Sequence, residues 1–287
     1  MKYSYYPGCS LHSSAKEFDI STKVVMKELE IELEELQDWS CCGGSIAGGV
    51  DHNIGMALAA RNVVLAQNQN QDLLAACSGC YNKSAKAAQA LENEQERAKI
   101  TSILTDMGMS VSNQKIKVRN VVDVLVNDLD IAPKIKKPLT GLKVACYYGC
   151  LLTRPADITG WDSPVFPMSL DKLAQKCGAE VVDFRSKTKC CGGPILVPQE
   201  EVAFEMTKKL LDEAKSLGAD CIILACPLCS NNLELRQPDI EKKYNVNYNL
   251  PILYITELIG LALGIKPRKL GLDKHLVSTK PVLAKVS

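Results

Sequence analysis

Ten of the thirteen cysteines in this 287-residue chain fall into one arrangement that occurs twice. The first copy is Cys9, the adjacent pair Cys41 and Cys42, and a C-x-x-C made by Cys77 and Cys80. The second is Cys150, then Cys190 and Cys191, then Cys226 and Cys229. In both copies the second member of the pair lies 35 positions before the first cysteine of the C-x-x-C. Pair and C-x-x-C repeat at one offset, 149. The flanking residues repeat as well: Tyr6-Pro7-Gly8-Cys9 matches Tyr147-Tyr148-Gly149-Cys150, and Gly-Gly follows each pair. Five thiols in register twice mark a duplicated metal-binding module.

Three chemistries use thiols at such spacings. The N-terminal residues 1–6 lack the long apolar region of a signal peptide, so a soluble, cytoplasmic protein is expected. In a reducing cytosol, disulfides rank behind metal binding or redox chemistry. Structural zinc takes four ligands tetrahedrally, and C-x-x-C is an ordinary half-site for it. Each copy offers five thiols, however, and two are sequence neighbours whose side chains diverge from extended backbone. A multi-iron cluster removes that difficulty, because adjacent thiolates can take different irons. Gly43, Gly44, Gly192 and Gly193 can adopt positive φ and bring backbone close to bridging sulfides. Soft thiolates select iron–sulfur or zinc over harder metals. On this chemistry iron–sulfur ranks first, and zinc stays open.

The elements that must position these thiols alternate between strand and helix. In the first half, Lys2–Tyr6 reads as a strand, 21–33 as an amphipathic helix and 34–38 as a weak strand. A helix over 53–68 and a strand over 72–76 follow, ending at Cys77. In the second half, 142–146 is a strand, 170–177 a helix, 180–184 a strand, 201–217 a helix and 220–225 a strand ending at Cys226. In the 201–217 helix, Val202, Met206, Leu210 and Ala214 recur every fourth residue and are expected on one face. Such alternation implies parallel sheets covered by helices, an α/β fold. Cys9, Cys77, Cys150 and Cys226 then lie just past strand C-terminal ends. In open parallel sheets, ligands gather in the crevice there.

The tails align too: Asn120–Leu125 resembles Tyr254–Ile259 at an offset of 134. The first half therefore carries about fifteen extra residues between Cys80 and Val118, mostly a polar helical stretch over 83–107 suited to docking a partner or facing solvent. The second has eight extra residues between Cys150 and Cys190, placed in the loop around Trp161–Pro164. A Lys- and Pro-rich linker over 132–140 sets the expected domains at 1–135 and 136–287. With 34 basic against 33 acidic residues, nothing in the balance points to a nucleic-acid patch or a polybasic membrane surface. The most apolar stretch, 251–265, is too short to span a bilayer and carries Glu257.

Two repeats of this cysteine pattern resemble the CCG domain, named for its Cys-Cys-Gly. Two copies without a ferredoxin domain resemble the family of B-type subunits of heterodisulfide reductase, over essentially the whole chain. The resemblance implies two pseudo-twofold-related domains, each set of five cysteines holding one noncubane [4Fe-4S] cluster. It also implies a common cleft in which the mixed disulfide of coenzyme M and coenzyme B is cleaved. One electron from each cluster would split the bond homolytically, each sulfur being stabilised by an iron of the nearer cluster. The chain has neither a Gly-rich dinucleotide fingerprint nor a C-x-x-C-x-x-C run, so electrons must come from partners. Those implied are the C-type subunit of the same complex, with ferredoxin-type iron–sulfur clusters, and its A-type subunit, which is a flavoprotein. The alternative is a non-catalytic electron-transfer CCG subunit of another oxidoreductase complex.

Methanogen members of that family often place His directly after the lone second-half cysteine and after its C-x-x-C. Here those positions are Leu151 and Ser230. That leaves His12, Tyr147, Tyr148 or water as proton donor. The 146–155 segment is closer to the wider set of B-type homologues, which includes bacteria without coenzyme M, and this leaves the disulfide itself open. Cys146, Cys177 and Cys221 lack counterparts in the other half and read as buried packing. Arg154, Lys187 and Lys189 flank second-half ligands and could meet an anionic substrate, although solvated charge is the commoner explanation. His52 and His275 have no supporting context in the sequence.

Overall fold

The structure is a computed structural model that describes residues 1–44 and 46–286. Each half builds a four-stranded, all-parallel sheet. In the first, β1 (Lys2–Tyr6), β2 (Glu32–Glu35), β3 (Leu73–Ala75) and β4 (Val118–Asn120) lie in the order β2-β1-β3-β4. In the second, β5 (Lys143–Cys146), β6 (Glu180–Val181), β7 (Cys221–Leu224) and β8 (Ile252–Tyr254) repeat that order as β6-β5-β7-β8. Strands β3, β7 and β8 are buried at every residue, as expected of a parallel sheet covered on both faces. The edge strand β2 is acidic at three of its four positions and alternates exposed with partly buried residues, and charge there discourages edge pairing.

This order reverses direction between β1 and β3, and again between β5 and β7. The chain leaves β1 for one edge, then returns past it to the other. Connections that diverge from two neighbouring strands open a crevice beyond their carboxyl ends. Cys9 and Cys77 follow β1 and β3, and Cys150 and Cys226 follow β5 and β7. Topology alone thus brings four of the ten cysteines to two crevices.

Several boundaries differ from the sequence expectation. The first helix runs Lys16–Glu28, not 21–33, because Glu30 takes a left-handed backbone (φ 64°) and the chain turns there into β2. The polar 83–107 stretch is two helices, Ser78–Ala90 and Glu94–Asp106. The second starts where the Asn93 side chain accepts hydrogen bonds from Gln95 N and Glu96 N. Strand β6 ends at Val181 rather than 184, giving way to a 3₁₀ turn over Arg185–Thr188. In the helix Glu200–Ser216 the buried face is Ala203, Thr207, Leu210 and Ala214, and Val202 is 44% exposed. Leu210 and Ala214 lie on the expected face, while Ala203 and Thr207 take the places expected of Val202 and Met206.

The halves clasp each other reciprocally. The helix Lys16–Glu28 of the first half packs on Ile255–Ala262 of the second, and Ser169–Lys176 of the second packs on Val121–Asn127 of the first. Phe18 stacks on Tyr254 with ring centroids 4.1 Å apart, and Ser21 Oγ hydrogen-bonds Thr256 Oγ1 at 2.7 Å. Swapped pairing of first and last helices is what a twofold relation between two copies of one unit produces.

Glu17 lies buried at this seam. Burial pushes its carboxyl up to about 7, against the pull of a backbone hydrogen bond and of His275. An unfolded glutamate ionises near 4.5, so the stability tied to this group is complete below that pH and is lost as pH rises through about 7. Glu17→Gln removes the dependence. Thermal melts are expected to favour the variant over wild type at pH 8 but not at pH 4, and an equal difference at both would contradict the assignment.

Candidate metal centre

Each crevice gathers its five sulfurs by the same local devices. Gly8 (φ 75°) turns the chain off β1 so closely that a Cβ there would lie 2.7 Å from Cys80 Sγ. Gly149 (φ 66°) does the same off β5, 3.1 Å from Cys229 Sγ. The adjacent pairs are placed by buried tyrosines at the ends of β1 and β5. Tyr6 donates to Ser40 O at 2.8 Å and Tyr147 to Lys189 O at 2.7 Å, the carbonyls immediately before Cys41 and Cys190. Asn62 braces Ser40 at both its N–H and its carbonyl, while Thr207 and Asn232 both donate to Cys191 O. Cys77 stands at the N-terminus of the helix Ser78–Ala90, and hydrogen bonding with Cys226, together with burial, pushes its thiol up.

The sulfurs come together in pairs. Cys9 Sγ is 3.8 Å from Cys41, Cys42 is 3.7 Å from Cys80, and Cys191 is 3.6 Å from Cys229. Cys150 hydrogen-bonds Cys190. Two thiolates about 2.3 Å from one tetrahedral ion sit about 3.8 Å from each other, so these are separations one metal ion can span. In the first set, the two members of the adjacent pair join different partners: Cys41 goes with Cys9, Cys42 with Cys80. In both sets the adjacent cysteines also hydrogen-bond each other, so the contacts run through the pair. Among the described residues, no three His, Cys, Asp or Glu side chains close around a single ion position. Five sulfurs linked in one chain of contacts fit a group with several metal ions and bridging sulfides.

Protonation is split by this crowding. Hydrogen bonds from Cys41 and Cys80 draw Cys42 down to about 3, and those from Cys150 and Cys191 draw Cys190 to about 2. Hydrogen bonding within the same pairs pushes Cys41, Cys80 and Cys150 up. Only added positive charge allows all five to ionise together. Each set has a wet and a dry side: Cys9 and Cys41 are exposed, Cys150 and Cys190 half-buried, and the other six buried. The dry sides touch. Cys77 and Cys226 hydrogen-bond across the seam, and Ser78 donates from N and Oγ to Ala225 O at 3.2 and 2.8 Å.

The remaining candidates are engaged elsewhere. His12 pairs with Glu35 (3.2 Å) and meets the Trp39 ring edge-on. Tyr147 is committed to Lys189 O, and Tyr148 donates to Asp171 at 2.5 Å. Lys187 is no anion receptor: its 3₁₀ turn points it inward, buried against Asp171 at 2.7 Å and Pro167 O at 3.2 Å. Arg154 donates to Thr188 O and lends its charge to Cys190, while Lys189 is exposed. Cys146, Cys177 and Cys221 are wholly buried, and burial pushes Cys177 up to about 12. His275, which has no supporting context in the sequence, is engaged in the fold. It is buried between Glu234 and Glu257, partners 41 and 18 residues away with no local signal.

The cysteine-rich domain family CCG matches residues 3–83 and 144–234. The B-type subunit of a ferredoxin/F420H2-dependent CoB-CoM heterodisulfide reductase from Methanosarcina acetivorans is 32% identical over 99% of this chain and 97% of its own. The chain belongs to the heterodisulfide reductase B-type family of duplicated cysteine-rich domains. The corresponding protein of the ferredoxin:CoB-CoM heterodisulfide reductase of Methanosarcina mazei matches at 32% over the same shares. A protein of Wolinella succinogenes named as the membrane anchor subunit of an 8-methylmenaquinol:fumarate reductase is 34% identical over 96% of this chain and 97% of its own. In fold, a crystal structure of a hypothetical Helicobacter pylori protein matches with TM-score 0.78 at 17% identity, over 96% of this chain. The chain spans about half (52%) of that one. No helix among the described residues is long and apolar enough to cross a membrane.

Gly8→Ala should displace Cys80 and cut bound metal to roughly half, one of two equivalent sets being lost. Cys177→Ala should leave metal content at the wild-type value. Metal analysis of purified protein checks both, and metal loss in Cys177→Ala would reassign that thiol as a ligand.

Proposed function

We propose that this chain, as domains 1–135 and 136–287, is the iron–sulfur subunit where a cytoplasmic heterodisulfide reductase complex reduces a disulfide to two thiols. Cys9, Cys41, Cys42, Cys77 and Cys80 would hold one noncubane [4Fe-4S] cluster, and Cys150, Cys190, Cys191, Cys226 and Cys229 the other. The observation that carries the reading is five sulfurs crowded into contact in each of two matching crevices, in two sets that meet at Cys77 and Cys226. Such clusters, when bound, supply electrons one at a time and soft iron for sulfur.

The chain's own residues do the rest. The exposed and half-buried ligands Cys9, Cys41, Cys150 and Cys190 leave a side that a substrate sulfur can approach. The buried C-x-x-C ligands exclude water from the other side. Arg154, fixed on Thr188 O, places positive charge beside Cys190 and favours an anionic substrate on the second half. Electrons come from partners in the complex: the C-type subunit, which carries ferredoxin-type iron–sulfur clusters, and the A-type flavoprotein.

The second reading, a relay subunit of another oxidoreductase complex, draws on the 34% identity to the Wolinella protein. Anoxic holoprotein supplied with reduced viologen separates the two. Disulfide-dependent viologen oxidation, with the coenzyme M–coenzyme B heterodisulfide or another low-molecular-weight disulfide, is the expected result. Clusters that reduce normally but pass nothing to any disulfide would assign the chain to the relay class.

A further inference from the structure

The two cysteine sets match in their sulfurs but not in what holds the segments that carry them. In the first half those segments are held from within. The turn after Cys9 closes on itself, with Ser13 N and Ala15 N donating to Ser10 O at 3.0 and 2.8 Å and Ser13 Oγ to Cys9 O at 2.9 Å. Asn62 braces Ser40, the residue before Cys41. Ala76 O, the carbonyl before Cys77, accepts from Asn120 Nδ2 at 3.1 Å. Every one of these donors belongs to the first half.

The second half takes its corresponding bonds from across the seam. Asn82, 1% exposed, donates from Nδ2 to Leu151 O at 3.0 Å and to Arg154 O at 2.7 Å. Those carbonyls bound the turn after Cys150, at the positions matching Ser10 and Ser13. The Arg154 guanidinium extends the link to Thr188 O, two residues before Cys190. Ala225 O, the carbonyl before Cys226, accepts from Ser78 N and Ser78 Oγ at 3.2 and 2.8 Å. Trp161 Nε1 donates to the Tyr81 hydroxyl at 3.0 Å. Ser78, Tyr81 and Asn82 all lie buried at the start of one first-half helix, Ser78–Ala90. That helix reaches, directly or through Arg154, all three segments carrying the second set.

The dependence runs one way. The position matching Ser78 is Pro227, which has neither N–H nor hydroxyl to return. Asn231, the counterpart of Asn82, makes no hydrogen bond to the turn 10–13 among the described residues. The counterpart of Asn120 is Tyr254, whose ring is stacked on Phe18.

We propose that the second cysteine set is a composite site, its Cys150 and Cys226 segments positioned by Ser78, Tyr81 and Asn82 of the first half, whereas the first set is built by its own half alone. The proposal rests on the reading of both sets as metal centres and holds for the disulfide reductase and the relay alike. A carbonyl that loses its donor turns to water. Without the Asn82 amide the turn after Cys150 therefore opens toward solvent and takes that sulfur with it. The effect is felt across the seam, although Asn82 itself sits two residues from the first-set Cys80.

The test uses the full chain with its metal, prepared anoxically as wild type, Asn82→Leu, Trp161→Phe and Gly8→Ala. Thiols are alkylated with iodoacetamide and located by mass spectrometry, alongside iron and sulfide content. Asn82→Leu is expected to lose about half the metal, with Cys150 and Cys190 alkylated and Cys9 and Cys41 protected as in wild type. Gly8→Ala should give the opposite map. Trp161→Phe, the milder change, should keep both sets filled but release metal from the second to a chelator about fivefold faster than wild type, as for one lost hydrogen bond. The composite site is overturned if Trp161→Phe speeds release from the two sets equally or from neither, or if Asn82→Leu keeps the second set protected. A wild type in which the thiols of both sets react freely overturns the metal-centre reading, and the composite site with it.

Discussion

Ten sulfurs gathered into two sets, with close pairs 3.6–3.8 Å apart, form an arrangement that neutral thiols do not require and thiolates do not tolerate alone. Like charges at that distance repel by several kcal/mol at the effective dielectric of a protein surface (about 4 at ε near 20). Hydrogen bonding relieves this only by sharing protons, which leaves Cys42 and Cys190 low and their neighbours high. Metal cations remove the conflict altogether. The remainder of the fold holds that arrangement ready: the glycines off β1 and β5, the tyrosines braced on Ser40 and Lys189, and the helix N-terminus at Cys77.

Duplication then acquires a physical meaning. Each copy contributes a parallel sheet whose order reverses between its first and third strands, so each has one crevice. The reciprocal clasp of first and last helices turns the crevices until Cys77 and Cys226 touch. Under the proposed function, two clusters held in contact would serve a two-electron reaction in single-electron steps. The copies have diverged behind the crevices, with Arg119 in the first half and His275 in the second each held between two acids.

The cysteine sets and the strands β1, β3, β5 and β7 were legible in the sequence because five thiols in register and buried apolar runs are local signals. Helix ends were less so. Glu30 breaks the first helix with a left-handed backbone that glutamate rarely adopts, and β6 is cut short by the 3₁₀ turn that also turns Lys187 inward. Proximity to a ligand in sequence misled there, since Lys187 flanks Cys190 yet is spent on Asp171. The His275 network was invisible for the opposite reason, as its partners come from distant segments that only the folded chain assembles.

The central claim is that each five-cysteine set is built for an iron–sulfur group and not for a lone zinc ion. Iron, zinc and acid-labile sulfide per chain, measured on anoxically prepared protein, test it most directly. The account predicts about eight irons with a matching amount of sulfide, four for each of two clusters. About two zinc ions without sulfide would contradict it and leave a duplicated structural scaffold.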